Sequence, residues 1–449
     1  MGRFGKVALI FSSLINSALF SGIVFGWAPL QLMLQDEGQY AFLCGPDDVL
    51  EASGMCPAQA ARFSAIFACV AFLVNAISLV SGIFLDHFGG RAMATVAFVS
   101  NLSGLVLLAF ADARSAGTRD WFLLGYSLLA VGGQMTLFTV FPTAFELPEY
   151  QTLVFATNSC LFDASSVVFQ VMSTLHGGLG YSRSSLFLGY AMCACPLYLL
   201  NIFLWRAGGN FVVREEKVEE MQSLPPQTSS KQKHRIQHTP PSQRRRRLPI
   251  TSPSRSPTPT SELPLAQQLQ TWDFGFILFY ASLGILRANL YIGGNEELLM
   301  NLGDNDPPNN RIFSKLFGYL LPLGFLFIPA IDAAVERSMP VALHITNFLA
   351  MAVAALMLIP SLRVQCAAFL AFAGFRAFLY GVMGAFIGQT FGPATLGRIT
   401  GCVFTTGSII NLVQAPILDW INFTFAGDTS PLAALMLAVG VLVVPSIPK

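Results

Sequence analysis

The sequence predicts an all-α membrane protein with twelve transmembrane helices arranged as two bundles of six. Three observations predict it: a composition too apolar for a soluble domain, a regular series of apolar runs, and a polar segment dividing that series in half. Of the 449 residues, 53% are hydrophobic and 11% charged, with a mean hydropathy of +0.58. A soluble domain carries roughly 25% charged residues. The net charge of +1 offers no electrostatic footprint for nucleic acid.

Runs of about 20 apolar residues cross the hydrocarbon core. They fall at 7–34, 62–85, 92–111, 121–142, 152–175, 184–206, 273–293, 312–331, 339–360, 364–388, 397–421 and 431–447. Backbone groups in lipid must satisfy one another, so each run is expected to be helical. "MGRFGK" leads straight into the first run, which is too long for a cleavable signal and lacks a clear cleavage site, so we read it as a spanning helix. Lys6 stands where N-myristoylation wants Ser or Thr.

Residues 207–272 are rich in Pro, Ser, Thr, Gln and Arg and cannot bury a core, so a disordered loop is expected there. It separates an N-terminal bundle, 1–206, from a C-terminal bundle, 273–449. Lys and Arg set the orientation. Arg3, Lys6, Arg91, ten basic residues within 214–255, Arg337, Arg398 and Lys449 collect on one side, which makes both termini and the loop cytoplasmic. The opposite loops are acidic ("QDEGQY", "PDDVLE", "NEELLMNLGDND"). No organelle signal is seen, so the plasma membrane is the default. Arg244–Arg247 beside the membrane suit anionic lipid. Thr239, Ser252, Ser256 and Thr258 each precede proline, and phosphorylation there would cancel part of that charge.

The eight cysteines show no metal spacing, and no cofactor is expected. Cys44 and Cys56 share the first polar loop, where a disulfide is open if the loop is extracellular.

"GIFLDHFGGR", Gly82 to Arg91, joins the second and third runs. Its glycines permit a tight turn and close helix approach. Asp86 and Arg91 form a candidate charge pair that could latch one conformation. The stretch resembles the major facilitator superfamily signature G-x-x-x-D-(R/K)-x-G-(R/K)-(R/K), with His87 and Gly90 replacing two of its basic residues. "GFLFIPAIDAAVER", 324–337, is a degraded second copy, as an internal repeat predicts.

Residues 19–45, 286–298 ("LRANLYIGGNEEL"), 375–392 ("FRAFLYGVMGAFIGQTFG") and 396–419 resemble the solute carrier 43 family of system-L-type large neutral amino acid facilitators. Apicomplexan amino acid transporters share the pattern, and other relatives carry nucleobases. The resemblance implies a facilitator fold with a midplane site, and helices 1, 4, 7 and 10 lining the cavity. It further implies facilitated uniport or exchange of an amino acid, large neutral first, with cationic or aromatic amino acids and then nucleobases as alternatives, without sodium coupling.

Asp163, Arg287, Arg376 and Asp419 fall inside predicted spans. A mid-bilayer charge costs at least ~2.5 kcal/mol, so the first three should face protein or a water-filled cavity. Either Arg287 or Arg376 is expected to pair with Asp163; the alternative is contact with a substrate carboxylate. In "SGIVFGW", Gly22 and Gly26 either pack a helix or leave room for substrate, with Ser21 nearby and Trp27 shaping a pocket. Tyr291 and Asn295 follow Arg287 as uncharged groups that suit a zwitterion. Gly293 and Gly294 would let that helix bend so that they close over a solute. "FGPATLG" lacks the strand context of a phosphate loop, and no catalytic set can be assembled, so no enzyme is expected. A receptor or scaffold without transport is the rival from another class.

Overall fold

The computed structural model describes residues 2–45, 55–115, 120–208, 259–304, 312–425 and 428–447. The loop containing Arg244–Arg247 lies outside the described residues, as does the side chain of Asp419.

The first part of the chain forms α1 (Arg3–Phe20), α2 (Trp27–Asp36), α3 (Pro57–Ala76), α4 (Ser78–Phe110), α5 (Phe122–Val140), α6 (Gln151–Ala164), α7 (Val167–Leu179) and α8 (Arg183–Gly208). A short α9 (Leu265–Gln268) leads into α10 (Trp272–Asn301), α11 (Ile312–Leu320), α12 (Ile328–Arg337) and α13 (Met339–Met357). The chain closes with α14 (Leu362–Phe391), α15 (Leu396–Asn411), α16 (Gln414–Phe425) and α17 (Ser430–Val443). The regular elements among the described residues are all helical.

Ten stretches among the described residues are long and apolar enough to cross a membrane, and Ser430–Ser446 is a shorter apolar helix. One of the ten, Pro57–Phe110, holds 54 residues, about 80 Å at ~1.5 Å per residue. That is more than twice the ~30 Å hydrocarbon core. Gly89 breaks it with φ 77° and ψ 173°, a conformation that glycine alone adopts readily.

Several predicted runs are interrupted. The first divides into α1, a 3-10 turn at Ile23–Phe25, and α2. The fifth divides at Ser165 and Ser166 into α6 and α7. The eighth passes through a 3-10 segment, Leu321–Phe327, and continues to Arg337. The eleventh divides between α15 and α16. The seventh departs the other way: α10 runs unbroken through Gly293 and Gly294 to Asn301.

Two seams join helices that precede residues 207–272 to helices that follow them. In one, α4 packs against α15; in the other, α6 packs against α14 and α12. Glycines set how closely each seam closes. A Cβ on Gly397 would lie 2.5 Å from both the Gly82 carbonyl and Asp86 Oδ1, and one on Gly401 2.6 Å from the Ser78 carbonyl. Gly381, Gly384 and Gly388 recur at one-face spacing on α14, where added Cβ atoms would lie 3.3 Å from Ala156, 3.3 Å from Phe155 and 2.7 Å from Phe155. The first face lets α4 and α15 approach backbone to backbone, while the second makes room for the Phe155 ring and Ala156.

The loops after α2 and before α5 are stapled together. Cys44 and Cys56 form a disulfide with Cα atoms 5.7 Å apart. Tyr40 donates to Asp120, which also pairs with Arg62 at 2.9 Å. Buried Arg183 donates to Glu37 at 2.8 Å and to the carbonyls of Leu108 and Ala111, the latter at 2.7 Å. Among the described residues there are two large apolar cores and a small third one at Leu9, Ala94 and Trp205. Trp27, Phe63, Tyr126 and Phe169 belong to one large core; Tyr291, Phe372 and Phe378 belong to the other, which crosses the second seam to reach Phe155.

Candidate functional site

Spanning helices rarely carry charge, so the site is built from the charges they do carry. α6 presents Asp163 in its last turn, and α14 presents Arg376 across the seam. Arg376 Nη2 donates to Asp163 Oδ1 at 2.6 Å and Nε donates to Oδ2 at 3.2 Å. This two-point geometry uses the planar fork of arginine, which lysine lacks. The Arg376 guanidinium also lies 5.7 Å from the ring centroid of Tyr380, and Tyr380 stacks on Phe404 at 6.1 Å. On the α6 side, Phe162 meets Phe25 edge-on at 5.6 Å.

The pair is buried but not sealed: its side chains are 13% and 12% exposed, and Phe25 is 42% exposed. Exposure of an ion pair at membrane depth calls for water rather than lipid beside it. The two helix breaks meet at the same place. The Gly22 amide, between α1 and α2, donates to Ser165 Oγ at 2.7 Å, between α6 and α7. Ser165 Oγ donates to the Phe162 carbonyl at 2.7 Å, and Ser166 Oγ donates to the Asp163 carbonyl at 2.8 Å. Backbone groups freed by a broken helix are tolerated in a membrane when they are re-satisfied like this or line a cavity. One turn earlier on α6, Ser17 Oγ donates to Asn158 Oδ1 at 2.6 Å. The site is thus an aromatic-flanked, net-neutral ion pair beside two discontinuous helices.

The other predicted residues are placed as follows. Ser21 is buried and donates to the Ser17 carbonyl at 2.5 Å. A Cβ on Gly22 would lie 2.9 Å from Ser165 Oγ, and one on Gly26 3.2 Å from Phe169 Cβ, so both glycines are covered by α6 and α7 rather than open to a ligand. Trp27 does not shape an open pocket: it packs against Tyr126 at 5.1 Å and Phe67 at 5.9 Å within the first core. Tyr291 is fully buried against Phe372 at 4.4 Å and Phe317 at 5.9 Å, inside the second core. Asn295 is likewise buried. Gly293 and Gly294 do not end or bend their helix. Added Cβ atoms would lie 2.6 Å from Leu418 and 2.8 Å from Leu432, so these glycines are where α16 and α17 approach α10.

Arg287 does not join Asp163. Its Nη1 donates to Asn347 Oδ1 on α13 at 2.8 Å. Asp86 does not take Arg91 as its partner either. Its carboxylate accepts from Arg398 Nε at 2.9 Å, and from the backbone amides of Gly397 at 3.0 Å and Arg398 at 2.9 Å. The break at Gly89 carries Arg91 onto the following helical segment, while the start of α15 supplies two amides and a guanidinium aimed at Asp86. Sequence reasoning placed Arg398 on the cytoplasmic side but gave Asp86 the nearer Arg91 as its partner. The available signal was a cation in the first turn of a predicted helix on the same side as Asp86. Arg183 and Asn347 carried no such signal. Among the described residues, no group of three His, Cys, Asp or Glu could hold a metal ion.

No known protein-family profile matches the chain. It is 24% identical to Equilibrative nucleobase transporter 1 of Bos taurus, over 94% of this chain and 91% of that protein. It is 22% identical to Large neutral amino acids transporter small subunit 3 of Mus musculus, over 44% of this chain and 36% of that protein. Among solved structures, the major facilitator superfamily proton:xylose symporter XylE superposes with a TM-score of 0.62 at 12% identity, covering 99% of this chain and 95% of that one. The chain is therefore a multi-pass membrane protein with the major facilitator fold, and in sequence it resembles nucleobase and amino acid transporters.

Proposed function

We propose that this protein moves a small, net-neutral organic solute across a membrane by alternating access, at the seam holding Asp163 and Arg376. In this reading the break at Gly89 separates two spans, the chain crosses twelve times, and residues 1–206 and 273–449 form two six-helix bundles. Both termini are cytoplasmic, and the default membrane is the plasma membrane. The closed seam at Asp86 and Arg398 then shuts the cytoplasmic side, leaving the site accessible from the disulfide-bearing side.

One observation carries the proposal: a two-point ion pair bridges α6 and α14 where two discontinuous helices meet. Discontinuous helices at a repeat interface are where transporters place their substrate. Asp163 and Arg376 neutralise one another, so a solute with net charge would find no counter-charge. The neighbouring rings Phe25, Phe162, Tyr380 and Phe404 favour a planar or aromatic solute. The leading substrate class is a nucleobase, supported by a similarity to a nucleobase transporter that runs along nearly the whole chain. The second reading is a large neutral amino acid, supported by the motif segments and by the partial similarity to an amino acid transporter.

The test is uptake by proteoliposomes containing the purified protein, with a labelled panel of nucleobases and neutral, aromatic and cationic amino acids, with and without a proton gradient. Saturable nucleobase uptake, indifferent to the gradient, is expected. Uptake restricted to amino acids moves the assignment to the second reading. A folded protein that binds and moves nothing on the panel sinks the transport reading and leaves a receptor or scaffold.

A further inference from the structure

We infer that a second site, inside the α10–α13–α14–α17 packing and apart from the Asp163–Arg376 seam, holds a monatomic anion of the halide class on the guanidinium of Arg287. Arg287 is 4% exposed. Its Nη1 is engaged by Asn347 Oδ1, but its Nε and Nη2 are buried with no hydrogen-bond partner among the described residues. No described carboxylate pairs with it. An arginine stays protonated in a protein, so a full positive charge stands at membrane depth with one neutral acceptor. Arg376 shows the contrast, because Asp163 matches its charge.

The space beside Arg287 says what can match it. The cavity is lined by Tyr280, Gly284, Thr346, Asn347, Phe375 and Val443, and the space within it open to the centre of a water-sized particle is ≈ 10 Å³. That is room for about one water-sized particle. A nucleobase, an amino acid or a phosphate does not fit. The polar neighbours have already spent their donors on the protein. Tyr280 donates to the Leu343 carbonyl at 2.8 Å, Thr346 to the Ala342 carbonyl at 2.9 Å, and Asn347 Nδ2 to the Gly440 carbonyl at 2.9 Å. The donors left over belong to Arg287. A water would accept from them without cancelling the charge, whereas a small anion does both. Gly440 keeps the place open, since a Cβ there would stand 3.0 Å from Arg287 Nη2.

The experiment uses the purified full-length protein and chloride alone, without any transport assay, so its failure is separate from failure of the transport reading. Thermal unfolding is followed while sodium gluconate is replaced by sodium chloride at constant ionic strength. A saturable rise of the unfolding midpoint with chloride is expected in the wild type. Arg287→Met should lose that response. Asn347→Asp, which places a carboxylate beside the guanidinium, should lose it too while remaining folded in gluconate. Broadening of the chloride-35 resonance by the wild type, reversed by bromide, reports occupancy without a variant and decides the matter if Arg287→Met fails to fold. An equal midpoint in both salts, an unbroadened resonance, or a chloride response retained by Asn347→Asp each overturns the proposal.

Discussion

Arg376 and Asp163 are 213 positions apart in sequence, yet they meet at 2.6 Å across the seam between α6 and α14. Removing one partner of a buried pair leaves an uncompensated charge, at a cost of ~3–5 kcal/mol. Asp163→Asn and Arg376→Gln are each expected to lower the unfolding midpoint and reduce proteoliposome uptake at least tenfold. The exchange Asp163→Arg with Arg376→Asp restores the charge balance and should recover part of both. A double exchange no better than the worse single variant would separate these residues.

The latch at Asp86 has a different expected outcome. Asp86→Ala removes one guanidinium contact and two amide contacts from the α4–α15 seam. Hydrogen bonds to charged groups contribute ~1.5–3 kcal/mol each, enough to shift a two-state equilibrium by one or more powers of ten. Ser78 is fully buried at this seam. In a background lacking the free cysteines, a cysteine introduced by Ser78→Cys should react with a water-soluble maleimide at least tenfold faster once Asp86 is replaced. An unchanged rate would mean that the glycine packing alone holds the seam.

Gly293→Ala and Gly294→Ala tell packing from bending. The added methyl groups meet Leu418 and Leu432, and overpacking costs typically ~1–3 kcal/mol. Each variant should therefore unfold at lower temperature while substrate selectivity is kept. Full stability combined with lost uptake would restore a hinge at this point.

The Cys44–Cys56 bridge closes a loop over a sequence separation of 12, for which the chain-entropy account gives about 3 kcal/mol. Cys44→Ser with Cys56→Ser is expected to lower the unfolding midpoint of the purified protein and remove its sensitivity to reductant. A midpoint that reductant leaves unchanged in the wild type would show that the loop is held by Arg183, Tyr40 and their partners instead.

Hydropathy made the helical membrane architecture legible, because lipid admits few backbone solutions. It did not reveal where helices break. The Gly22 amide donates across to Ser165 Oγ, while Ser166 Oγ donates to the Asp163 carbonyl of its own run, and no local pattern in either run carries that information. The charges were legible as anomalies: Asp163, Arg287, Arg376 and Asp86 stand out in apolar or glycine-rich surroundings. Their partners were less so. Arg91 is close to Asp86 in sequence but lies beyond the break at Gly89, whereas Arg398 is 312 positions away and within 2.9 Å. Trp27, Tyr291 and Asn295 were chosen for their chemistry, but helical phase turned them into the cores. A run that is apolar all round hides its phase, which is why those side chains could not be oriented from sequence.

The first glycine seam has a thermodynamic consequence. Where Gly82 meets Gly397 and Ser78 meets Gly401, between α4 and α15, much of the contact is bare backbone with few side chains. Parting such surfaces uncovers little apolar area to be rehydrated, at ~25 cal/mol per Å². The open and closed forms are then separated mainly by a handful of polar contacts, and the molecule behaves as a nearly balanced beam that a small solute can tip.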